Sequence, residues 1–311
     1  MKGEFELIDS IRSMFPAPDG IKGIGDDCAI IPQTSGYETL VSTDMLVEGS
    51  HFLLDDITPY RLGWKSAAVN FSDIAAMGGE PVGSFLALAL PKGLPEGWME
   101  KFLEGYRAVS LEYGFPLLGG DTTASPDRLC ICVTVLGKAP EGCSKKRSGA
   151  QPGDLICVTG TLGDSGAGLQ AVLKGIGREA AALIEKHYLP RPRIAEGRML
   201  AACQGVHAMM DISDGVGSDI RHILEESGVG AVIDVRTLPV SAETKNFCSA
   251  QGLDPVEIAL CGGEDYELLF TITEEAEETL GVQHTVIGRI TCGDNVEWAG
   301  ADRDYMGFRH F

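Results

Sequence analysis

The sequence predicts an α/β or α+β fold that is divided into two domains. Strand-like and helix-like segments alternate in both halves of the 311-residue chain, the order expected when helices pack on sheets. A hydrophobic content of 44% is ample for packed cores, and the length fits one large or two medium domains. Residues 139–153 are rich in Gly, Pro and basic side chains, and they indicate a linker between domains of residues 1–138 and 154–311.

In the first half, apolar side chains at helical spacing predict a first helix within residues 4–15. A second helix begins at Thr58-Pro59, with Thr58 as the cap and Pro59 at the first position, and it ends at Gly78-Gly79. A third helix is predicted over residues 96–113. The predicted strands of this half are residues 28–31, 39–43, 82–90 and 129–136.

The second half opens with the apolar strand 155–158 and a glycine-rich turn at residues 160–166. That turn lacks the full order of a dinucleotide-binding loop, and the chain has no P-loop motif. The helix start after it could hold a phosphate, or the turn could be a tight connection without a ligand. The predicted helices are residues 166–175, 179–187, 193–204 and 216–226, and the further strands are residues 208–212, 230–235, 266–272 and 284–290.

Charge and cysteine usage limit the class of partner. The 45 acidic residues exceed the 25 basic ones by 45 − 25 = 20, so nucleic acid and anionic membranes should be repelled. No apolar run reaches the ~18 residues of a membrane span, and the N-terminus has no apolar signal core. The nine cysteines form no Cys-x-x-Cys pair, which predicts reduced thiols in a cytoplasmic protein.

Five short acidic clusters are the most informative feature of the chain. Three of them close an apolar strand-like run, and carboxylates beside Gly, Ser and Thr offer the oxygen ligands that Mg²⁺ needs. Any one cluster could instead be a helix cap or a turn, but together they indicate metal ions that bridge to a small polyanion. The clusters are Gly25-Asp26-Asp27, Ser42-Thr43-Asp44, Asn70-Phe71-Ser72-Asp73, Gly119-Gly120-Asp121 and Asp211-Ile212-Ser213-Asp214-Gly215.

The acidic clusters belong to a longer ordered series of motifs. The series also contains His51-Phe52, Arg147-Ser148-Gly149-Ala150, Thr159-Gly160-Thr161-Leu162-Gly163 and Gly262-Gly263-Glu264-Asp265-Tyr266-Glu267-Leu268. It resembles the bacterial thiamine-monophosphate kinases, a branch of the aminoimidazole ribonucleotide synthetase-like superfamily of ATP-dependent enzymes. The resemblance spans essentially the full chain. The Ser-Thr-Asp, His-Phe and Gly-Gly-Glu-Asp-Tyr-Glu-Leu motifs are much more specific to that branch than Asp-Asp or Gly-Gly-Asp.

The resemblance implies a two-domain fold in which the N-terminal sheet forms a homodimer interface. It also implies that ATP and thiamine phosphate bind in a cleft between the domains with several Mg²⁺ ions. The implied metal ligands are Asp27, Ser42, Thr43, Asp44, Asp73, Asp121, Asp211 and Asp214. The implied ATP-binding residues are Gly120, Asp121, Arg147 and Ser213. The residues implied to bind thiamine phosphate are His51, Glu264 and Phe308. The implied catalytic residues are Asp44, Asp121 and Arg147. Tyr106 is suggested for the adenine pocket.

The implied reaction converts ATP and thiamine phosphate to ADP and thiamine diphosphate. The acceptor is already a phosphate oxyanion, so catalysis needs positioning and charge neutralisation and no base to deprotonate the acceptor. We therefore expect direct in-line transfer without a phosphoenzyme.

Two alternatives stay open. One is another ATP-dependent enzyme of the superfamily, such as aminoimidazole ribonucleotide synthetase. Selenophosphate synthetase would want a reactive Cys or selenocysteine near the N-terminus, and the hydrogenase-maturation member would want a C-terminal Cys. Residues 1–22 contain no Cys, and the chain ends in Arg309-His310-Phe311. The other alternative is a non-catalytic metal-binding protein, which would not need Arg147 or the glycine loops.

Overall fold

The computed structural model describes residues 13–16 and 35–307, which fall into two compact units. The first unit includes Gly79–Gly142 and the chain up to Ile74, and the second includes Ala75–Gly78 and the chain from Cys143. The division lies within the predicted linker, whose bounds stay a prediction. The predicted strand 28–31, most of the first helix, Asp27 and Phe308 lie outside the described residues.

The first unit is a four-stranded sheet with two described helices. Its elements are β1 (Tyr37–Val47), α1 (Pro59–Ala76), β2 (Glu80–Leu90), α2 (Trp98–Tyr113), β3 (Leu117–Ala124) and β4 (Cys130–Pro140). The strand order is β1-β4-β2-β3, with β4 antiparallel to both of its neighbours and β2 parallel to β3. The helix predicted from Thr58-Pro59 is confirmed to within one residue at its C-terminal end.

The core of this unit lies on one face of the sheet. Leu86, Ile131, Val133 and Val135 are buried, and so is Phe71 of α1. The two helices approach so closely that glycine is required at their crossing: a Cβ at Gly63 would lie 1.9 Å from the carbonyl oxygen of Phe102, and one at Gly105 the same distance from that of Tyr60. The opposite face of the sheet is not covered by described residues, since Val41 and Met45 of β1 are 64% and 57% exposed.

Two of the acidic clusters do not end their strands as predicted. β1 pairs with β4 on both sides of Ser42-Thr43-Asp44, and β3 pairs with β2 through Gly119-Gly120-Asp121. The prediction used side-chain polarity, whereas backbone hydrogen bonds to a neighbour set the length of a strand. Asp211 is the last residue of its strand, so in that cluster the prediction is confirmed.

The second unit is a six-stranded sheet with helices. Its elements are β5 (Leu155–Thr159), α3 (Asp164–Leu173), α4 (Ala181–Tyr188), α5 (Ile194–Ala202), β6 (Val206–Asp211), α6 (Val216–Ser227), β7 (Gly230–Asp234), α7 (Ala242–Gln251), α8 (Pro255–Cys261), β8 (Leu268–Ile272), α9 (Glu274–Glu277), β9 (His284–Thr291) and β10 (Val296–Ala299). The strand order is β10-β7-β9-β5-β8-β6, with β10 parallel to β7 and the other neighbours antiparallel. The apolar core joins this sheet to α6 and α8.

Helices α7 and α8 were not predicted, although both carry a local start signal. Ser241 accepts a hydrogen bond from the backbone N–H of Thr244, and Asp254 accepts one from Val256 just before Pro255. These are ordinary N-caps, the second with proline at the first helical position. No helix within residues 13–16 and 35–307 is long and apolar enough to cross a bilayer.

Candidate active site

Two acidic clusters of the first unit lie together. Ser42 donates a 2.5 Å hydrogen bond to Asp73 Oδ2, and the backbone N–H of Asp44 donates to Asn70 Oδ1 at 3.0 Å. The amide of Asn70 is itself held by the carbonyl of Ser66, one turn earlier in α1. Asn70 and Asp73 therefore share the helix face predicted from their spacing, and that face meets the β1 edge of the sheet.

His51 lies on the loop after β1, with its ring orientation set by the backbone. Its Nδ1 accepts the N–H of Val47 at 3.0 Å, so the neutral ring carries its proton on Nε2. Burial raises the pKa of the Asp44 carboxylate, and the positive charge that His51 carries when it is protonated acts to lower that pKa. His51 therefore offers an N–H donor near Asp44, as an anion-binding residue should.

The His51 loop is anchored to the two residues that precede β4, Arg128 and Leu129. Glu48 Oε2 accepts the N–H of Leu129 at 2.9 Å, and the carbonyl of Glu48 accepts the guanidinium of Arg128 at 3.0 Å. The neighbouring Gly49, with φ +83°, leaves the room that this guanidinium needs. The sequence pointed to neither Glu48 nor Arg128.

Thr43 and Asp121 lie on the other face of the sheet from Asp44. The Thr43 hydroxyl contacts Thr134 at 3.0 Å, and Asp121 is in register with Ala87 across the strand pair. Strands β1 and β3 are at opposite edges, three strand spacings or about 14 Å apart. The side chains of Asp44 and Asp121 from one chain therefore do not meet at one point, and as predicted ligands of several Mg²⁺ ions they would not share one ion within a single chain.

The donor set fits a hard cation but does not form a closed cage. Ser42, Asp44 and Asp73 supply only oxygen atoms, which Mg²⁺ prefers, and Mg²⁺ usually keeps waters and substrate oxygens. Among the described residues, no group of three or more His, Cys, Asp or Glu side chains is arranged to hold a metal ion. A Mg²⁺ site here would thus be completed by oxygens from outside this set.

In the second unit, the Asp211–Gly215 cluster pairs with the Gly-Gly-Glu-Asp-Tyr motif. Ile212 and Tyr266 are joined by a 2.9 Å backbone hydrogen bond, and the N–H of Glu264 donates to the carbonyl of Ser213 at 2.7 Å. Gly263 must be glycine, because a Cβ there would lie 2.7 Å from the Ser213 carbonyl and φ is +64°. These two predicted motifs form one surface.

The motif after Gly263 is strained. Glu264 and Tyr266 have φ of +57° and +51°, a region in which non-glycine residues are uncommon and a bulky residue is an outlier. Such strain persists only where the surrounding structure enforces it, and it concentrates at functional sites. The consecutive backbone pairings to Ile212 and Ser213 enforce it here.

Three carboxylates of this motif have three different partners. Glu267 is buried and accepts Arg193 Nε at 2.7 Å and the Thr159 hydroxyl at 2.6 Å, so it has a structural role. Glu264 is half-buried, with Oε2 3.4 Å from Nδ1 of the buried His187. Of the three, Glu264 is therefore the most accessible to a ligand, and its role in binding thiamine phosphate stays a prediction. Sequence reasoning missed His187, which has no acidic cluster next to it in the chain.

The side chain of Asp265 holds the glycine-rich turn at residues 160–166 in place. Its carboxylate accepts the N–H of Gly163 at 2.7 Å and that of Ser165 at 3.1 Å, at the start of α3. Burial, helped by the charges of Asp164 and Glu267, raises the pKa of Asp265 to about 8 despite these bonds. These two N–H groups are therefore not available to a phosphate, which favours the alternative of a tight connection without a ligand.

Asp219 is an acidic neighbour of the Asp211 cluster that sequence reasoning missed. It is 1% exposed, and its Oδ2 has no hydrogen-bond partner. Burial, together with the charges of Asp211 and Asp214, raises its pKa to about 8, although the backbone N–H groups of Asp214 and Gly215 donate to the carboxylate. The spacing in the sequence could have indicated Asp219, because this residue follows Gly215 by one helical turn.

Arg147 is exposed on a loop whose backbone is fixed. The Ser227 hydroxyl donates to the Arg147 carbonyl at 3.2 Å and accepts the N–H groups of Gly149 and Ala150 at 3.1 Å each. The preceding carbonyl, of Lys146, accepts the N–H of Met209, two residues before Asp211. The loop thus lies along β6, near the end that carries Asp211.

Tyr106 is not an adenine-binding residue, and that suggestion is wrong. The side chain is completely buried, its hydroxyl donates to Ser84 at 2.9 Å, and burial raises its pKa. Its ring packs edge-on against Phe15 at 6.0 Å. The residue belongs to the core of the first unit because it lies on the inward face of α2.

Comparison with known proteins shows a family match over most of the chain. The family described as AIR synthase related protein matches with its N-terminal domain at residues 25–139 and its C-terminal domain at residues 151–298. The thiamine-monophosphate kinase of Salmonella typhimurium is 43% identical over 333 residues, covering 99% of this chain and 98% of that protein.

Solved structures of similar proteins support the same family. The crystal structure of thiamine-monophosphate kinase from Stenotrophomonas maltophilia K279a has a TM-score of 0.85 at 36% identity, covering 97% of this chain and 98% of that one. A structure of AaThiL complexed with AMPPCP and TMP has a TM-score of 0.83 at 37% identity, covering 99% and 97%. The predicted two-domain fold of the aminoimidazole ribonucleotide synthetase-like class is confirmed.

Proposed function

We propose that this chain, which belongs to the thiamine-monophosphate kinase family, phosphorylates thiamine phosphate with ATP to give thiamine diphosphate. The similarity to kinases of that name over nearly the full length of both proteins carries the proposal. A related structure that contains AMPPCP, an analogue of ATP, together with TMP supports the two substrates.

The site residues keep the roles that the motifs imply, as part of this proposal. Asp27, Ser42, Thr43, Asp44, Asp73, Asp121, Asp211 and Asp214 would hold Mg²⁺, which when bound neutralises phosphate charge. ATP is bound by Gly120, Asp121, Arg147 and Ser213. Thiamine phosphate is bound by His51, Glu264 and Phe308. The anchored loop of Arg147 supports its role, since a guanidinium on a fixed backbone can hold phosphate oxygens bidentately.

His51 acts as a hydrogen-bond donor to the acceptor phosphate. Its Nδ1 lone pair is used by the N–H of Val47, and its neutral Nε2 carries a proton. The ring therefore has no lone pair available to attack a phosphorus atom, and it is suited to stabilise the anionic acceptor. The attacking group is the ionised oxygen of thiamine phosphate itself, so transfer is direct and in line.

The homodimer is part of the same proposal. One face of the β1-β4-β2-β3 sheet is apolar and exposed at Val41 and Met45, as an interaction surface would be. Asp121 lies on that face and apart from Asp44 of its own chain. A second copy seated on this face would cover the apolar residues and bring further oxygen ligands to the sheet. Location in the cytoplasm also stays a proposal.

A coupled assay for ADP release tests the function. We expect turnover with thiamine phosphate and none with unphosphorylated thiamine, since only the former offers a phosphate acceptor. Turnover without any acceptor, or only with a substrate of another superfamily enzyme, would contradict the proposal. ATP made chiral at the γ-phosphorus should give inverted product, whereas retention would indicate a phosphoenzyme.

A further inference from the structure

Asp219 lies in the interior of the second unit, next to the turn that carries Asp211 and Asp214. It belongs to the first turn of α6, and only 1% of its surface is exposed. Its backbone N–H donates to the carbonyl of Gly215 at 3.0 Å, so the turn continues directly into the helix. The position of Asp219 is therefore fixed by the same stretch of backbone that presents two of the predicted metal ligands.

The two oxygens of the Asp219 carboxylate have different surroundings. The backbone N–H groups of Asp214 and Gly215 donate to the carboxylate. Oδ2 is buried, and it accepts no hydrogen bond from any residue that the structure describes. The two N–H groups therefore bond to Oδ1, so one oxygen holds the turn and the other has no partner in the described part of the chain.

Two further carboxylates lie beside this unpaired oxygen. Asp211, the last residue of β6, is 6% exposed, and Asp214 follows it by three residues. Burial raises the pKa of Asp219 and the charges of Asp211 and Asp214 raise it further, so the three carboxylates are close enough to interact. A buried oxygen without a hydrogen-bond donor is rare in native proteins, and in acidic surroundings a cation, or a water held by a cation, is the partner that would satisfy it.

We propose that Asp219 is a positioning residue of the Mg²⁺ site at Asp211 and Asp214, and that its Oδ2 accepts a hydrogen bond from a water bound to the ion. The inference rests on the proposed function, in which those two aspartates hold Mg²⁺. Mg²⁺ usually keeps several waters, and acceptors outside the direct ligands hold such waters in place and raise the affinity for the metal.

An indirect role fits the arrangement of the three aspartates better than direct coordination. Among the described residues, no group of three or more His, Cys, Asp or Glu side chains is placed to hold an ion. Asp219 therefore does not complete a cage with Asp211 and Asp214. A water between its carboxylate and the ion requires no such cage.

A purely structural role of Asp219 would depend on its other oxygen. Asparagine keeps an oxygen for the N–H groups of Asp214 and Gly215, and it replaces Oδ2 by an amide group that donates hydrogen bonds. Asp219→Asn should therefore keep the turn and leave the melting temperature without metal nearly unchanged. Its effect should appear when the metal binds.

The test measures metal binding directly, with Mn²⁺ as the probe because it shares the preference of Mg²⁺ for oxygen ligands. The full chain is titrated with Mn²⁺ at a fixed concentration of AMPPCP, and the electron paramagnetic resonance signal of free Mn²⁺ gives the bound fraction. The wild type should bind more Mn²⁺ than AMPPCP alone. Asp219→Asn should weaken this additional binding by between about tenfold and about a hundredfold. Asp294→Asn, which changes an exposed carboxylate of the same unit, is the matched control and should bind as the wild type does.

Melting temperatures with and without Mg²⁺, both in the presence of AMPPCP, give a second measurement. The rise that Mg²⁺ causes should be smaller in Asp219→Asn than in the wild type and in Asp294→Asn, since a ligand stabilises the fold according to its affinity. If Asp219→Asn does not fold, Asp219→Ser, which has a shorter hydroxyl in place of the carboxylate, is compared in the same way.

Unchanged Mn²⁺ affinity in the variant would overturn the inference, and so would a wild type that binds no Mn²⁺ beyond the share of AMPPCP. A melting temperature that falls equally with and without Mg²⁺ would also overturn it, because the role of Asp219 would then be structural. Absence of turnover with thiamine phosphate in the wild type would contradict the proposed function instead, since the metal-binding measurements need no turnover.

Discussion

At the scale of single residues, hydrogen bonds determine which candidate groups can do chemistry. His51 is restricted to the Nε2–H tautomer by the N–H of Val47. In the Gly-Gly-Glu-Asp-Tyr-Glu motif, Asp265 and Glu267 serve the start of α3 and Arg193, whereas Glu264 is half-buried. Residue type alone would have ranked these three carboxylates equally.

Asp44→Asn should abolish turnover while the fold survives. The change keeps the size of the side chain and removes the charge that would hold Mg²⁺, so we expect a loss of at least about a hundredfold in kcat. Circular dichroism and the melting temperature check the fold. The control is Asp294→Asn, which changes an exposed carboxylate in the other unit, where its hydrogen bond comes from the neighbouring Asn295. Near wild-type activity of Asp44→Asn at saturating Mg²⁺ would remove Asp44 from the site.

His51→Ala should weaken binding of the acceptor and not of ATP. Loss of one donor to a phosphate oxyanion should raise the KM for thiamine phosphate about tenfold and leave the KM for ATP nearly unchanged. Initial rates with each substrate varied in turn give both constants, and His222→Ala serves as a histidine control. If the KM for ATP rose more, the assignment of the two substrates would be reversed.

At the scale of elements, buried polar side chains join the helices of the second unit. Asp164, at the start of α3, accepts hydrogen bonds from the hydroxyls of Thr161 and Thr244 at 2.5 Å each, and also from Ser241 and Lys186. Burial alone would raise its pKa, but these four donors outweigh it and lower the pKa below the usual value. One carboxylate thereby links α3, α4 and α7.

In the Asp164→Asn variant, the free energy of unfolding should change less with pH in the acid range than it does in the wild type. Because the folded pKa lies below the unfolded value of about 3.9, the carboxylate stabilises the fold above that pH and loses its contribution as the pH falls through the folded pKa. We expect a loss of about 3 kcal/mol at pH 7 and a smaller difference at about pH 3. Urea unfolding at both pH values measures it, and Asp294→Asn is the exposed control. Parallel stability curves for wild type and Asp164→Asn would contradict this.

Local signals predicted some elements well and others poorly. The start of α1 has its cap and its proline within two residues, so the prediction is nearly exact in position. Strands β1 and β3 continue through polar clusters, because their length depends on pairing with strands far away in sequence. Helix α8 is only seven residues long and has no clear apolar period, so its Asp254-Pro255 start was overlooked.

At the scale of the whole molecule, the exposed sheet face makes the homodimer testable. Val41 is 64% exposed on that face and in register with Leu136 of β4. The change Val41→Asp places a charge there, so it should dissociate the dimer at micromolar concentration and lower the activity. Light scattering after size-exclusion chromatography gives the mass. Leu111→Asp is the matched control, since Leu111 is equally exposed on α2. A wild-type monomer with full activity would contradict the homodimer.

Activity should also depend on more than one Mg²⁺ per site. Acidic clusters occur in both units, and they are more than one octahedral ion can use when it keeps waters and substrate oxygens. At fixed ATP·Mg²⁺, the rate should continue to rise with added free Mg²⁺. Saturation at one Mg²⁺ per ATP would count against several ions.

The sequence by itself determined the order of most strands and helices, the family and the set of oxygen-bearing motifs. Those properties are local or compositional, since they depend on spacing, caps and residue type. Only the tertiary structure decided that Asp73 meets Ser42, that Asp121 lies on the opposite face from Asp44, and that Asp219 is buried beside Asp211. Sheet register and helix packing join residues far apart in the chain, and no local pattern records which of them become neighbours.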